Sequence, residues 1–251
     1  MKKILAISNS FGVDANRYLY GVARAGGEAV RVATLFIGGC SLYRHYKCML
    51  SENAAYALHV NGMETGFFVS LKEALLADEW DIITFQQASP LSGSYDTYFP
   101  YLRVLSAYAR KYAPAAKQYI HATWGWSDPA VIESSRTSFK SSDEMFAAID
   151  TAYKQVALDI SADGYIPAGA LMQKLYKTIG DKAYRDGHHA SYGVGRYALA
   201  LVWYMTLFGK DIAGIVYRDF DEPVTDEEIL AAERCAKEAV SENNYKMQPL
   251  D

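Results

Sequence analysis

Three residues with complementary chemistry stand near the two ends of this chain: Ser10, Asp186 and His189. A serine hydroxyl becomes a nucleophile when a neutral imidazole accepts its proton, and a carboxylate on the other ring nitrogen orients that imidazole. Asp186 and His189 belong to one Asp-Gly-His-His sequence, so a single loop can supply both the acid and the base. These residue types predict cleavage of an ester, provided that Ser10 and His189 meet in the folded protein.

The negatively charged oxygen that forms during such an attack needs hydrogen-bond donors. The backbone N–H groups of Ser10 and Gly39 are two candidates, because each residue lies in a loop after a predicted strand. A side-chain amide from Gln86 or Gln87 is a third candidate, since two adjacent amides after an apolar strand need hydrogen-bond partners.

Aromatic side chains suggest where a substrate could lie. Trp124, Trp126 and 20 tyrosines offer flat amphipathic rings of the kind that suit the face of a sugar. Trp124, Trp126 and Gln86 are the candidate substrate-binding residues of a carbohydrate-facing cleft. The alternative is that both tryptophans pack in the core or in a lid.

Strands alternate with helices along the chain, which predicts a parallel sheet covered by helices on both faces. The predicted strands are 4–8, 30–37, 81–85, 117–122 and 165–166. The predicted helices are 15–25 with Asp14 as its cap, 71–77, 97–112, 142–160, 168–179, 192–208 and one that Thr225 opens with a capping box. Ligands bind outside the carboxyl ends of such strands, where Ser8–Gly12, Gly38–Ser41 and Gln86–Ser89 are expected.

One segment does not fit this alternation. Residues 55–70 predict a hairpin that turns at Asn61-Gly62 or at Thr65-Gly66. We therefore interpret residues 43–70 as a hairpin or lid insertion within a single domain of residues 1–251.

Composition excludes several classes of protein. Hydrophobic residues make up 51% of the 251 residues, which is enough to bury a full core. A net charge of −4 without a basic stripe argues against a nucleic-acid partner. Cys40, Cys48 and Cys235 are expected to be reduced thiols, and the short apolar run after Lys2-Lys3 is too short for a signal-peptide core or a membrane span. We therefore expect a cytoplasmic protein with no membrane partner.

Several functional motifs are missing from the sequence. It contains no Gly-x-Ser-x-Gly elbow, no GxGxxG and no Walker motif, which disfavours an α/β-hydrolase and the common nucleotide folds. His188 and His189 are adjacent, so we expect one of them in the cleft, and an adjacent pair is a poor metal chelate. We predict neither a metal nor a cofactor.

Four blocks in order resemble the SGNH (GDSL-like) hydrolase superfamily, and more closely one of its bacterial branches. The blocks are Ile4–Phe11, Ile37–Leu42, Asp81–Ser89 and Arg185–Ser191, followed by Gly195-Arg196-Tyr197. The resemblance spans roughly residues 4 to 209. It implies a flavodoxin-like three-layer α/β/α fold and a Ser-His-Asp esterase without a cofactor.

The resemblance also implies roles for individual residues. Ser10 would be the nucleophile, His189 the base and Asp186 its orienting acid, with the backbone of Ser10 and Gly39 as oxyanion donors. The sequence departs from the superfamily twice: Ser-Asn-Ser replaces Gly-Asp-Ser in the first block, and the third block lacks its asparagine. Some carbohydrate-acetylesterase relatives use glutamine in a comparable place, which favours Gln87 as the third donor.

Three functions follow for comparison. The first is a serine esterase that acts on a small-molecule or carbohydrate ester, with an O-acetyl group on a sugar as the expected substrate. The second is a hydrolase that uses Cys40, which follows two glycines at a strand end. The third is a non-catalytic carbohydrate-binding module on the same fold.

Overall fold

A seven-stranded sheet forms the centre of the computed structural model, which describes residues 1–243 and 245. The strands are β1 (Lys2–Ser8), β2 (Val30–Phe36), β3 (Tyr56–Val60), β4 (Met63–Val69), β5 (Ile82–Phe85), β6 (Lys117–His121) and β7 (Gly164–Ile166). Their order in the sheet is β4-β3-β2-β1-β5-β6-β7. Strands β2, β1, β5, β6 and β7 are parallel, whereas β3 pairs antiparallel with both β2 and β4.

Helices cover both faces of this sheet. They are α1 (Ser10–Asn16), α2 (Leu19–Ala25), α3 (Leu42–Ser51), α4 (Leu71–Leu76), α5 (Tyr101–Tyr112), α6 (Asp128–Glu133), α7 (Ser142–Asp159), α8 (Ala168–Ile179), α9 (Val194–Phe208) and α10 (Asp226–Ser241). The chain crosses from β1 to β2 in one direction and from β5 to β7 in the other, so right-handed crossovers place α1 and α2 opposite α5 and α7. Helices α8, α9 and α10 pack together, and α9 also contacts α1 and α2. The predicted three-layer α/β/α fold is confirmed.

The parallel strands read as apolar runs because both of their faces are covered. In β1 the residues from Ile4 to Ser8 are buried, and all four residues of β5 are buried. Strand β4, at the edge, is largely exposed. The buried strands therefore lie within one or two residues of the positions predicted from the sequence.

The first helix differs from its prediction. The chain forms two short helices instead of one, and Asn9 rather than Asp14 caps the first by accepting the backbone N–H of Phe11. Asp14 lies inside α1, where it is buried against Arg185 and Arg196. Because the carboxylate is needed for these distant ion pairs, it does not serve as a local cap.

The segment 43–70 also differs in part. Residues 42–51 form α3, which the sequence analysis missed and which Ser41 caps through the backbone N–H of Arg44. The predicted hairpin is present and turns at Asn61-Gly62, where both residues have positive φ angles of 52° and 82°. The hairpin extends the sheet beyond β2. It therefore forms an edge of the sheet.

No helix within the described part of the chain combines the length and the apolar character that a bilayer crossing demands. All three cysteines are free thiols, with Cys40 and Cys235 buried and Cys48 half-buried.

Candidate active site

The sheet brings Ser10 and the loop that contains His189 together in one cleft. Ser10 Oγ lies 2.9 Å from His189 Nε2. On the other side of the same ring, His189 Nδ1 lies 2.7 Å from Asp186 Oδ2. With Nδ1 donating to the carboxylate, Nε2 is free to accept the serine proton, which is the arrangement that activates a serine nucleophile.

Ser10 is held by the turn that ends β1. It is the first residue of α1, directly after the capping residue Asn9. The Asn9 amide also donates to the carbonyl oxygen of Cys40 at 3.1 Å, so it ties the first loop to the second. A residue at the start of a helix has a backbone N–H without an intrahelical partner, and Ser10 therefore offers both its hydroxyl and its N–H at one place.

The loop with the acid and the base is a tight turn that Asp186 closes. Its Oδ1 accepts the backbone N–H of His188 at 3.2 Å and that of His189 at 2.8 Å. Gly187 has a φ of 80°, and a Cβ there would lie 2.7 Å from the Cβ of Ala130. Glycine is thus required twice over, for the backbone angle and for the space.

The same contacts set the charge of Asp186. Burial raises the pKa of this carboxyl, but hydrogen bonds from the His189 backbone and ring outweigh it and lower the pKa to about 2. The carboxylate is therefore ionised at neutral pH and holds the imidazole in one orientation.

A buried ion-pair network fixes the two halves of the cleft to each other. The Asp14 side chain, on the same helix as Ser10, accepts hydrogen bonds from Arg185 at 3.0 Å and from Arg196 Nε at 2.9 Å. Arg185 directly precedes Asp186, and Arg196 lies in α9. Because loss of one partner would leave a buried charge unpaired, this network joins α1 firmly to the loop.

Two backbone donors are available in the cleft. Ser10 and Gly39 both line it, and Gly39 is exposed with a φ of 58°. Within residues 1–243 and 245, neither backbone N–H has a hydrogen-bond partner. These are the two backbone groups that the sequence analysis proposed.

The third proposed donor, Gln87, does not reach the cleft, which corrects that prediction. Its Nε2 donates to the carbonyl oxygen of Thr97 at 3.1 Å and to the hydroxyl of the same residue at 3.2 Å. Its Oε1 accepts the backbone N–H groups of Leu42 and Ala88, each at 2.9 Å. The amide is fully used in joining β5 to α3, so no hydrogen is left for an oxyanion.

Gln86, the alternative donor and proposed substrate-binding residue, is also enclosed. Its Nε2 donates to Asn9 Oδ1 at 2.7 Å, and its Oε1 accepts from His121 Nδ1 at 2.8 Å. His121 is wholly buried, and burial lowers its pKa to about 3, so the ring is neutral. Gln86 therefore holds the turn before Ser10 through Asn9, and it does not line the cleft.

The two tryptophans are structural, and their prediction as sugar platforms is likewise corrected. Trp124 is fully buried, stacks on Phe11 with ring centroids 4.2 Å apart, and donates to the carbonyl oxygen of His188 at 2.8 Å. Trp126 is 3% exposed and donates to Ser89 Oγ at 2.9 Å. Both tryptophans brace the residues that line the cleft.

The cleft itself is small, with a volume of about 160 Å³. Its lining residues are Asn9, Ser10, Phe11, Gly39, Ala88, Ser89, Pro90, Arg136, His188 and His189. None comes from residues 43–70. Ser89 belongs to the Gln86–Ser89 segment that was expected at this edge of the sheet, but no role was predicted for it. Arg136 was missed, and nothing in the sequence marks it.

Cys40 does not fit the role of a nucleophile. Its side chain is fully buried and does not line the cleft, and burial raises the pKa of the thiol to about 12. A protonated and inaccessible thiol is unreactive.

Both histidines of the pair face the cleft, although the sequence analysis expected only one to do so. His188 Nδ1 lies 3.3 Å from Asp186 Oδ1, and ligand atoms of Asp186, His188 and His189 lie within 4.8 Å of one another. Such a group can hold a metal ion, but a cation there would compete with His189 for the same carboxylate.

The family follows from a comparison with known proteins. A model of a domain of unknown function, DUF4886, matches residues 3–239. The chain belongs to the DUF4886 family. A DUF4886 protein from Bacteroides uniformis is 31% identical, with a TM-score of 0.88 over 97% of this chain and 96% of its own.

More distant structures share the fold of this DUF4886 chain. A protein described as a GDSL-like lipase, from Parabacteroides merdae, is 14% identical with a TM-score of 0.55, over 81% of this chain and 94% of its own. A catalytic mutant of Axe2, an acetylxylan esterase from Geobacillus stearothermophilus, is 15% identical with a TM-score of 0.50, over 86% of this chain and 97% of its own. No curated protein matches the chain. These neighbours share the three-layer α/β/α fold that the resemblance implied.

Proposed function

We propose that this protein is a serine hydrolase that cleaves a small carboxylic ester with Ser10, His189 and Asp186. The observation that carries the proposal is the unbroken row of hydrogen bonds, 2.9 Å from Ser10 Oγ to His189 Nε2 and 2.7 Å from His189 Nδ1 to Asp186 Oδ2. Side chains 179 residues apart in the sequence meet at the distances that proton transfer requires.

Each step of the reaction uses these groups in turn. Ser10 Oγ attacks the ester carbonyl carbon while His189 Nε2 accepts its proton. The tetrahedral intermediate collapses, and the alcohol leaves with that proton, so the acyl group stays on Ser10. Water then attacks the acyl group, His189 again accepts a proton, and the carboxylic acid is released as Ser10 recovers its hydrogen.

Three donors stabilise the developing oxyanion in this proposal. Two are the backbone N–H groups of Ser10 and Gly39, and the third is the hydroxyl of Ser89 in place of a glutamine amide. Ser89 lines the cleft, and its Oγ accepts the indole N–H of Trp126 at 2.9 Å. Within the described residues its own hydrogen has no acceptor, so the hydroxyl is oriented and free to donate.

The size of the cleft favours a small acyl group. Its volume of about 160 Å³ lies below the range of roughly 300–1,000 Å³ that pockets for drug-sized ligands occupy. We propose an acetyl group or a similarly short acyl chain. The fold shared with an acetylxylan esterase supports an O-acetyl group on a carbohydrate as the natural substrate.

A carbohydrate-binding module without catalysis is the weaker alternative. It would need aromatic faces open to a sugar, and both Trp124 and Trp126 are buried. It also gives no role to the hydrogen bonds that join Ser10, His189 and Asp186.

Hydrolysis of p-nitrophenyl acetate tests the proposal. We expect turnover by the wild-type protein and a fall in kcat/KM of at least about 10³-fold in Ser10→Ala. Ser138→Ala, which removes an exposed hydroxyl outside the cleft, is the matched control and keeps the wild-type rate. Undiminished turnover by Ser10→Ala would overturn the assignment.

A further inference from the structure

We propose that the cleft selects esters that carry a carboxylate close to the ester group, and that Arg136 binds this carboxylate. The inference rests on the proposed esterase function and adds a substrate class to it. It makes Arg136 a specificity residue, which takes no part in the bond-breaking steps.

The charge around the cleft is the first observation. The whole chain has a net charge of −4, yet none of the cleft-lining residues in the described part of the chain is acidic. The Asp186 carboxylate is bonded to His189 Nδ1 and does not line the cleft. Among the lining residues the charged side chain is therefore the Arg136 guanidinium, which favours a negative group over a positive one.

The state of Arg136 is the second observation. Within residues 1–243 and 245 its guanidinium forms no salt bridge, in contrast to Arg185 and Arg196, which bond to Asp14. Its guanidinium carbon lies 5.9 Å from the ring centroid of Trp126. The ring is buried and fixed by its bond to Ser89, so it supports the guanidinium at the cleft.

The effect of Arg136 on its neighbours is the third observation. Burial and the neighbouring His189 lower the pKa of His188, Asp186 raises it, and the positive charge of Arg136 adds a smaller lowering effect. His188 and His189 have ring centroids 4.2 Å apart, and both line the cleft together with Arg136, so the guanidinium shares the cleft with the proposed base.

The chemistry of a guanidinium specifies the ligand. Its planar fork of N–H groups matches the two oxygens of a carboxylate, and such charge-assisted bonds are about twice as strong as neutral ones. Arg136 is itself exposed, so the contribution of this pair depends on the two-oxygen geometry of the guanidinium fork and is reduced by salt. A neutral ester of the same shape would bind without this contribution.

Two matched pairs of esters test the proposal. For a carboxylate on the acyl side, p-nitrophenyl hemisuccinate is compared with p-nitrophenyl butyrate. For a carboxylate on the alcohol side, meta-acetoxybenzoate is compared with meta-acetoxybenzamide. The quantity measured is the ratio of kcat/KM for the charged ester to kcat/KM for its neutral partner.

We expect this ratio to fall by about 3- to 10-fold in Arg136→Gln for at least one pair. Lys140→Gln removes a positive charge from the same loop at an exposed residue that does not line the cleft, and it should leave both ratios as in wild type. Arg136→Lys keeps the charge without the fork and should give an intermediate ratio. Added salt should lower the wild-type ratio in the same pair.

The outcomes separate this inference from the proposed function. Ratios that Arg136→Gln changes by less than about twofold in both pairs would overturn the carboxylate proposal, provided that hydrolysis still depends on Ser10. Hydrolysis of the neutral esters that persists in Ser10→Ala would instead overturn the esterase assignment. An equal fall in the ratios for Lys140→Gln would overturn the carboxylate proposal, because the effect would then be one of net charge.

Discussion

Polar residues around the cleft fall into two groups with opposite properties. We call the residues that line it and carry the proposed chemistry the rim: Ser10, Ser89 and His189. We call the buried residues that support them the floor: Gln86, Gln87, His121 and Trp124. Floor residues bond to other protein groups, whereas each rim residue keeps a group that can act on a substrate.

The two histidines show what separates the groups. The His189 side chain is 20% exposed, and its Nε2 faces Ser10. His121 is fully buried, its Nδ1 bonds to Gln86, and burial lowers its pKa to about 3. A residue type alone therefore does not assign a role, because burial decides whether an imidazole exchanges protons or supports the fold.

The largest expected effect is at the rim histidine. His189→Asn should lower kcat/KM for p-nitrophenyl acetate by about 10³- to 10⁴-fold, because no base remains to accept the serine proton. The melting temperature should change by a few degrees at most. Equal activity of this variant and the wild type would remove His189 from the mechanism.

The matched floor substitution is His121→Asn. It should lower the free energy of unfolding by about 2–4 kcal/mol, because it leaves a cavity and an unpaired Gln86 oxygen. The activity per folded molecule should stay within about tenfold of wild type. If this variant were stable and as inactive as His189→Asn, the distinction between rim and floor would be lost.

The next largest effect is expected at Ser89, and it tests whether this residue belongs to the rim. Ser89→Ala should reduce kcat by about 10²-fold, the usual cost of one oxyanion donor, with a smaller change in KM. Ser94→Ala removes an exposed hydroxyl from the same segment and serves as the control. A Ser89→Ala enzyme with wild-type kcat would assign the third donor to another group.

A substitution of Gln87 tests whether a floor residue affects stability more than catalysis. Gln87→Met should lower the free energy of unfolding by about 2–3 kcal/mol, since the buried N–H of Leu42 loses its acceptor. Because the amide does not face the cleft, kcat per folded molecule should fall far less than in Ser89→Ala. Denaturant unfolding with parallel kinetics measures both quantities, and the reverse pattern would restore Gln87 as an oxyanion donor.

The smallest expected effect is in acid. Hydrogen bonds from Arg17 lower the pKa of Asp221 to about 2, from its ordinary value of 3.8. As the pH falls, Asp221 is protonated in the unfolded chain before it is protonated in the folded protein. Its contribution to the free energy of unfolding is therefore present above about pH 4 and is lost as the pH falls towards 2. Asp221→Asn should therefore be less stable than wild type at pH 7, and the difference should shrink by pH 2. A difference in unfolding free energy that is constant with pH would exclude this carboxylate as its source.

Much of the fold could be predicted from the sequence, because it depends on local patterns. The runs in β1 and β5 are apolar throughout since helices cover both faces, and this pattern is visible in a single sequence. The capping box of α10, from Thr225 to Glu228, was also visible and is present. The resemblance of four short blocks indicated which loops meet at the site.

The roles of individual polar residues could not be predicted, because they depend on distant contacts. Asp14 has the residue type of a helix cap, but Arg185 lies 171 residues away and makes it a buried ion partner. Gln87 and Ser89 follow the same strand, and only the positions of Thr97 and Trp126 decide which of the two side chains keeps a free donor.

Covalent labelling tests the central claim most directly. The wild-type protein is treated with an alkyl fluorophosphonate, and the modified peptide is identified by mass spectrometry. We predict one adduct per chain, on Ser10, which forms at least about 10²-fold more slowly in His189→Asn. An adduct on another residue such as Cys40, or continued ester hydrolysis by a protein that the reagent does not modify, would contradict the account.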